Sequence, residues 1–458
     1  MSSNVNRSLF LILLVMTTAC VKDESIDHPP IAGNENWQAE SSVINLDQPQ
    51  AWLDDLNSSK LNQLVDQALS ENLLLRSALA RWQSAQARTK ISGAPLKPQV
   101  EVNAEAGRQR INRFSSDRFS MNVSASWEAD VWGKLSNAAQ AAIEDEQAFA
   151  ADYHAAELSL AANVARNWFA IIETNLQEQL AVKTAETFKQ SQEVIEERYR
   201  RGLNSALDVR LARTDVATAE NEIVRRQREK DGLIRQLDIL LGQYPSGELL
   251  IPDQLPELVT TVPTGLPSQL LIRRPDLLAA EYRLTAAGER LQEARKNRLP
   301  SIRLTGSGGV GSSALNELLD WDSLVWSLLV GVTQPIFEGG RLDAERTLAE
   351  AQHGEAWADY AQAVLVAFRE VETALAAEDR FVQQLEQLQL ATDEALEASD
   401  LALSRYQKGL VDIITLLDAQ RRAFNAESAL LRIQRERLDN RVALYLALGG
   451  EFSSSSAE

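Results

Sequence analysis

Two hydrophobic periods divide the chain. Residues 119–127 read Phe-Ser-Met-Asn-Val-Ser-Ala-Ser-Trp, alternating apolar and small polar side chains without a fault, the period of a strand with unlike faces. Residues 100–106 alternate in the same way. Further along, Ile302, Leu304 and Val310 share one phase, and Leu324, Trp326, Leu328, Val330 and Val332 share another. Four strands follow, two within about 100–127 and two within about 302–334, each about nine to eleven residues, the length that crosses a bilayer when tilted. Around them the pattern is helical. Residues 134–201 contain neither Gly nor Pro, and residues 341–408 only Gly354. An unbroken helix over either run would extend roughly 100 Å at about 1.5 Å per residue. After breaks at Gly202 and Gly409 come helices over 203–241 and 410–448, and shorter helices over 59–92 and 267–298 precede the strand pairs. Two shorter helices end to end match one long one, so the helices form a cylinder of even height. Helices this long need lateral partners to be stable.

The two halves are copies. Tyr199-Arg-Arg-Gly202 returns as Tyr406-Gln-Lys-Gly409, an offset of 207. At the same offset Ala219-Glu220 becomes Ala426-Glu427, Gln227-Arg-Glu229 becomes Gln434-Arg-Glu436, and Leu241-Gly242 becomes Leu448-Gly449. A period this long is one duplicated unit, not a short-repeat solenoid. Residues 243–265, with several prolines, read as a belt between the copies.

Charge and composition remove several function classes. With 46 basic against 65 acidic side chains and a net charge of −19, the chain lacks the electrostatic footprint of a nucleic-acid binder. One cysteine excludes a disulfide framework, and three dispersed histidines leave little for a metal centre. There is no G-x-S-x-G elbow, P-loop or His–carboxylate cluster, so no catalytic site, metal or cofactor is expected. Arg273 and Arg274, before Pro275 and Asp276, read as the start of a helix rather than as catalytic groups.

The single cysteine is Cys20. It follows Arg7, the apolar run Leu9 to Met16, and Thr17-Thr18-Ala19, the order of an export signal too short to span as a helix. Thr17-Thr18-Ala19-Cys20 resembles a bacterial lipoprotein cleavage box, with Thr in place of the usual Leu. The resemblance implies a signal peptide at 1–19, and diacylglycerol and an N-acyl (palmitate) chain on Cys20. The alternative is an ordinary leader containing a thiol. Residues 20–50 then read as a flexible strap and 451–458 as a disordered tail.

Alternation alone also describes a soluble sandwich. Trp127, Trp132, Trp321, Trp326 and Phe337, at or near strand ends, would suit an aromatic girdle. If the strands span, four are too few, since spanning barrels start at about eight and a lipid-exposed sheet must close. The chain would then share a barrel with further copies, two or three by arithmetic.

Several motifs in order carry a family likeness: Trp127-Glu-Ala-Asp-Val-Trp-Gly133, Leu271-Ile-Arg-Arg-Pro-Asp-Leu277 with Ala279-Ala-Glu281, Leu299-Pro300, Gln334-Pro-Ile-Phe-Glu-Gly-Gly-Arg341, the two Tyr-x-x-Gly turns and Leu416-Leu-Asp-Ala-Gln420. From about Leu61 to Gly449 the chain resembles the TolC-like outer-membrane efflux family, in the lipoprotein branch serving resistance-nodulation-division (RND) pumps. The resemblance implies a mainly α fold with a transmembrane β part. Repeats at 51–242 and 267–450, joined by an equatorial segment at 243–266, would form a homotrimer with a twelve-stranded outer-membrane barrel above a helical periplasmic tunnel. It implies a passive exit duct for drugs or other small molecules, lipid-anchored in a Gram-negative outer membrane and without nucleic-acid partners. A periplasmic adaptor and an inner-membrane pump would dock at Gly202, Leu203, Asn204 and Ser205 and at Gly409, Leu410 and Val411. In the family an Asp of the first tip bonds a Tyr of the second, matching Asp208 and Tyr406, while a basic partner falls at Val411. A carboxylate ring at the constriction matches Asp418; its companion falls at Thr415, with Asp412 a substitute. A lipid-anchored adaptor, the nearest rival, would show one hairpin flanked by soluble β modules.

Overall fold

A computed structural model describes residues 58–112, 114–258, 273–318 and 320–450, with Leu53 and Leu56. The leader at 1–19, Cys20, the strap at 20–50, residues 259–272 of the connecting region and the tail at 451–458 lie outside the described residues. In chain order the elements are α1 (Ser59–Glu71), α2 (Leu73–Gly93), β1 (Gln99–Ile111), β2 (Phe114–Ala129), α3 (Lys134–Arg200), α4 (Ala206–Leu240), α5 (Pro275–Lys296), β3 (Ser301–Ser312), β4 (Leu324–Thr333), α6 (Arg341–Gln407) and α7 (Ile413–Ala447). The pairs α3/α6 and α4/α7 have equal lengths, 67 and 35 residues. None of the described helices is long and apolar enough to cross a membrane.

The helix expected over 59–92 is two helices, because Asn72 interrupts it with ψ 127°. Its Oδ1 accepts from the N–H groups of Leu74 and Leu75 at 2.9 and 3.0 Å, capping α2, and its Nδ2 donates to the Leu240 carbonyl at 2.9 Å. An Asn side chain that competes with the backbone ladder favours such a cap. In the second half Arg274 is extended before α5 (ψ 118°), and its Nη1 donates to the carbonyl of Ala447 at 3.2 Å. Arg273 is helical, so the helix expected over 267–298 is interrupted at Arg274 and resumes at Pro275. The helices expected from 203 and 410 begin at Ala206 and Ile413, each after a polar cap, and α6 runs through Gly354 unbroken.

Helix α3 is the spine. It packs against α1, α2, α4, α5 and α7, while α6 packs against α5 and α7. Trp168, Phe169, Ile171 and Ile172 of α3 are buried with Leu61, Val65, Leu237, Leu438 and Val442 in the main core.

The four strands form one antiparallel sheet in the order β1-β2-β3-β4. They are longer than expected, 13, 16, 12 and 10 residues. The apolar alternation stops at Ala106 and Phe119, but the ladder of β1 and β2 continues through Arg108↔Asp117 and Arg110↔Ser115. The register places the apolar positions on one face: Val102 pairs with Val123, Val123 with Gly308, and Gly308 with Trp326. Val100, Val102, Met121, Val123, Leu324, Trp326, Leu328, Val330 and Val332 on that face are all exposed. The other face carries Glu101, Asn103, Ser120, Asn122, Ser124, Ser126, Thr305 and Ser307, with Val325 and Leu329 as apolar exceptions. A sandwich would bury its apolar face; here helices lie at one end of the sheet and none of the described helices covers that face.

One glycine fixes the approach of β2 and β3. A Cβ on Gly309 would lie 2.2 Å from the Met121 carbonyl oxygen and 2.5 Å from Asn122 Cα, backbone atoms of the neighbouring strand. Gly309→Ala should therefore break the β2–β3 ladder, read as faster hydrogen exchange of its amides. Gly308→Ala, where a Cβ meets nothing within 4 Å, should leave exchange unchanged.

Candidate functional site

The two turns joining α3 to α4 and α6 to α7 lie side by side. Each is built the same way. Gly202 and Gly409 take φ +74°, a conformation that costs a β-carbon-bearing residue energy. Gly202 N–H donates to the Tyr199 carbonyl and Leu203 N–H to that of Arg198, both at 2.9 Å; Gly409 and Leu410 do the same to Tyr406 and Arg405. These are the paired bonds of a Schellman C-cap. The next helix then starts on a polar cap. Ser205 Oγ accepts from the Asp208 N–H at 3.2 Å, and Asp208 Oδ2 accepts from the Ser205 N–H at 2.8 Å, a reciprocal capping box. In the second turn Asp412 Oδ1 accepts from Thr415 N–H at 2.8 Å and from Thr415 Oγ1 at 2.7 Å. The Thr415 backbone and hydroxyl bonds hold the Asp412 carboxyl below its ordinary value.

Between the turns lies an apolar plug of Ile195, Val209, Ala212, Ala402, Tyr406, Ile413, Leu416 and Leu417, with Val411 packed against it. The Val411 position, where the family likeness implies a cation, is thus apolar packing. Tyr406 is 2% exposed, and burial raises its phenol pKa against the opposing Asn204 hydrogen bond and the Arg198 charge. Asn204 stands between the two groups expected to bond directly: its Nδ2 donates to Tyr406 Oη at 2.8 Å and to Asp208 Oδ2 at 3.2 Å. Arg198 completes the cluster. Its Nε donates to Asn204 Oδ1 at 3.0 Å, its Nη1 to the Tyr406 carbonyl at 3.5 Å, and its guanidinium lies 5.0 Å from the Tyr406 ring centroid, within cation–π range. Motif reading missed Arg198. The usable signal was an Arg before the Tyr of Tyr-x-x-Gly in both halves, Arg198 and Arg405.

Asp418 lies one turn inside α7, and Arg422 Nε donates to its Oδ2 at 2.8 Å. The carboxylate expected in a ring at the constriction carries its own counter-charge. At the turns themselves Leu203, Leu207, Leu410 and Ile414 are 62–71% exposed, two pairs at an offset of 207.

Comparison with known proteins gives one consistent answer. The family described as outer membrane efflux protein matches residues 64–243 and 266–450. The pyoverdine export outer membrane protein OpmQ of Pseudomonas putida is 32% identical over 445 residues, 93% of each chain. Outer membrane protein OprJ of Pseudomonas aeruginosa is 32% identical over 457 residues, covering 96% of this chain and 95% of its own. A solved structure of CusC, described with transmembrane channel formation, superposes with a TM-score of 0.85 at 27% identity, over 93% of this chain and 99% of the other.

Proposed function

Because this chain belongs to the outer membrane efflux protein family, we propose that three copies close one duct across the outer membrane, shut at its far end by the paired turns. It is the outer-membrane channel component of an efflux system in Gram-negative cells, a passive channel and not an enzyme. The observation that carries a shared barrel is the sheet: one exposed apolar face and, among the described residues, a free edge on β1 and another on β4; the family likeness supplies the number three. Open edges are not tolerated in hydrocarbon. Pairing β4 of one copy with β1 of the next satisfies both edges, keeps the sheet antiparallel, and turns the polar face onto a water-filled lumen. Three copies make twelve strands.

Transport through such a duct needs no covalent step, since the energy comes from an inner-membrane RND pump. The exposed Leu203, Leu207, Leu410 and Ile414 offer a periplasmic adaptor apolar knobs at both turns. Pyoverdine, toluene and cations are named for relatives, and small molecules of that range are the cargo class. Cys20 carries the lipid anchor. Extraction from outer membranes in mild detergent followed by native mass spectrometry tests the assembly: a species of three chains, each lacking residues 1–19 and bearing a lipid increment, is expected. A soluble monomer would sink the reading; a trimer without lipid would remove the anchor alone.

In this duct the three Asp418 carboxylates are each offset by Arg422, so the constriction is only weakly cation-selective. Arg422→Gln should shift the reversal potential in a KCl gradient toward that of K⁺. An unchanged reversal potential would place Asp418 away from the ion path.

A further inference from the structure

On the outward face the side chains of β1 run Val100, Val102, Ala104, Ala106, then Arg108 and Arg110. Those of β2 run Ala129, Trp127, Ala125, Val123, Met121, Phe119, then Asp117 and Ser115. From Ala129 to Phe119 the apolar band measures about 34 Å along the strand at about 3.4 Å per residue, or about 26 Å upright at a barrel tilt of about 40°. That is the height of an outer-membrane hydrocarbon layer. The helices leave at the Gln99 and Ala129 end, so the arginines lie just past the band on the far, hairpin side. They are the first outward charges along β1, about 7 and 14 Å beyond Ala106 along the strand. That is the depth of lipid headgroups.

We infer that Arg108 and Arg110 form an outward docking site for the phosphate groups of a phosphorylated glycolipid in the outer leaflet. The inference rests on the outer-membrane reading above. Three features select this occupant. The site continues the lipid-facing band, so a neighbour there is lipid. In a chain of net charge −19 it reverses the prevailing sign, with two guanidiniums facing one carboxylate. Both cations are Arg, whose planar fork matches phosphate oxygens two at a time. The Asp117 contact does not occupy the site: Arg108 Nε is 3.5 Å from Asp117 Oδ1 with the Arg108 side chain 72% exposed, an open pair of little strength. The lumen face of β1 at this level carries Gly107 and Gln109, without charge.

The test uses the full protein in nanodiscs of phosphatidylcholine with and without a bis-phosphorylated lipid A, counting retained glycolipid by native mass spectrometry. Arg108→Gln with Arg110→Gln is compared with wild type and with Arg118→Gln, which lies on the lumen face. At about one charge-assisted contact per arginine, retention should fall roughly tenfold for each one lost, with retention by Arg118→Gln unchanged and conductance normal in the wild type and the double variant. Equal retention in the double variant, or an equal loss in Arg118→Gln, overturns the site while normal conductance leaves the channel intact. Loss of conductance in wild type itself would overturn the channel reading and the site together.

Discussion

Asn204→Ala combined with Tyr406→Phe should raise the open-channel current of the reconstituted protein well above wild type, with each single change giving a smaller rise. The Asn204 amide is the only link among the described residues that joins the Tyr406 hydroxyl, the Asp208 carboxylate and the Arg198 guanidinium at once. Deleting it together with the hydroxyl removes three hydrogen bonds and leaves no buried phenol without a partner. At about 1 kcal/mol net per bond, less where solvent reaches the exposed side, the loss is about 2 kcal/mol per copy. A shift of that size changes a closed-to-open ratio roughly thirtyfold. The Phe ring keeps the packing against Ile195, Leu416 and Leu417, so the turns stay folded. Asp208→Ala is the poorer probe, because Asp208 also closes the capping box of α4 and its removal frays the helix start by about 1 kcal/mol. A current equal to wild type in the Asn204 and Tyr406 double variant would show that this cluster does not hold the channel closed.

Much of this was legible in the sequence because long-range order here follows local periodicity. The two glycine turns and the strand phase each depend on residues near one another in the chain, and the 207-residue offset is a direct repetition of such local patterns. What stayed hidden depends on where side chains meet. Asn72 looks like any polar residue inside an amphipathic run until its amide reaches Leu240, 168 positions away. Gln177 exchanges hydrogen bonds with Ser428, and Gln420 bonds Ser191; nothing in the spacing of those residues announces that they tie α3 to α7. The tip cluster was half readable. Tyr406 and Asp208 stood out through a family motif, but the bridge between them is an Asn, and the cation comes from Arg198 on the first turn rather than from the second.

A second large effect lies where α3 crosses α7, and it is one of pH. Asp439 accepts from Arg435 Nη1 at 2.5 Å through one oxygen, while its other oxygen is buried without a hydrogen-bond partner. Burial pushes its pKa from 3.8 up to about 6, against the pull of Arg435 and Arg166 and helped by the nearby charges of Glu436 and Glu173. The sign follows from proton binding. Between pH 4 and 6 the folded protein holds a proton that the unfolded chain has released, so this residue's contribution to stability falls as pH rises through that window and stays low above it. A rise of about two units corresponds to about 3 kcal/mol. The attraction of Arg435 is already contained in that figure, so Asn, which imitates the protonated form, should recover most of it. Asp439→Asn should therefore unfold at a higher temperature than wild type at pH 8, with the gap closing as pH falls to 4, followed by circular dichroism of the helices. Carboxylates held low, such as Asp276 beside Arg274, act in the opposite direction in both proteins and cancel in the difference. A gap of the same size at pH 4 and pH 8 would mean that Asp439 is solvated in the assembled protein and that the substitution acts through packing alone.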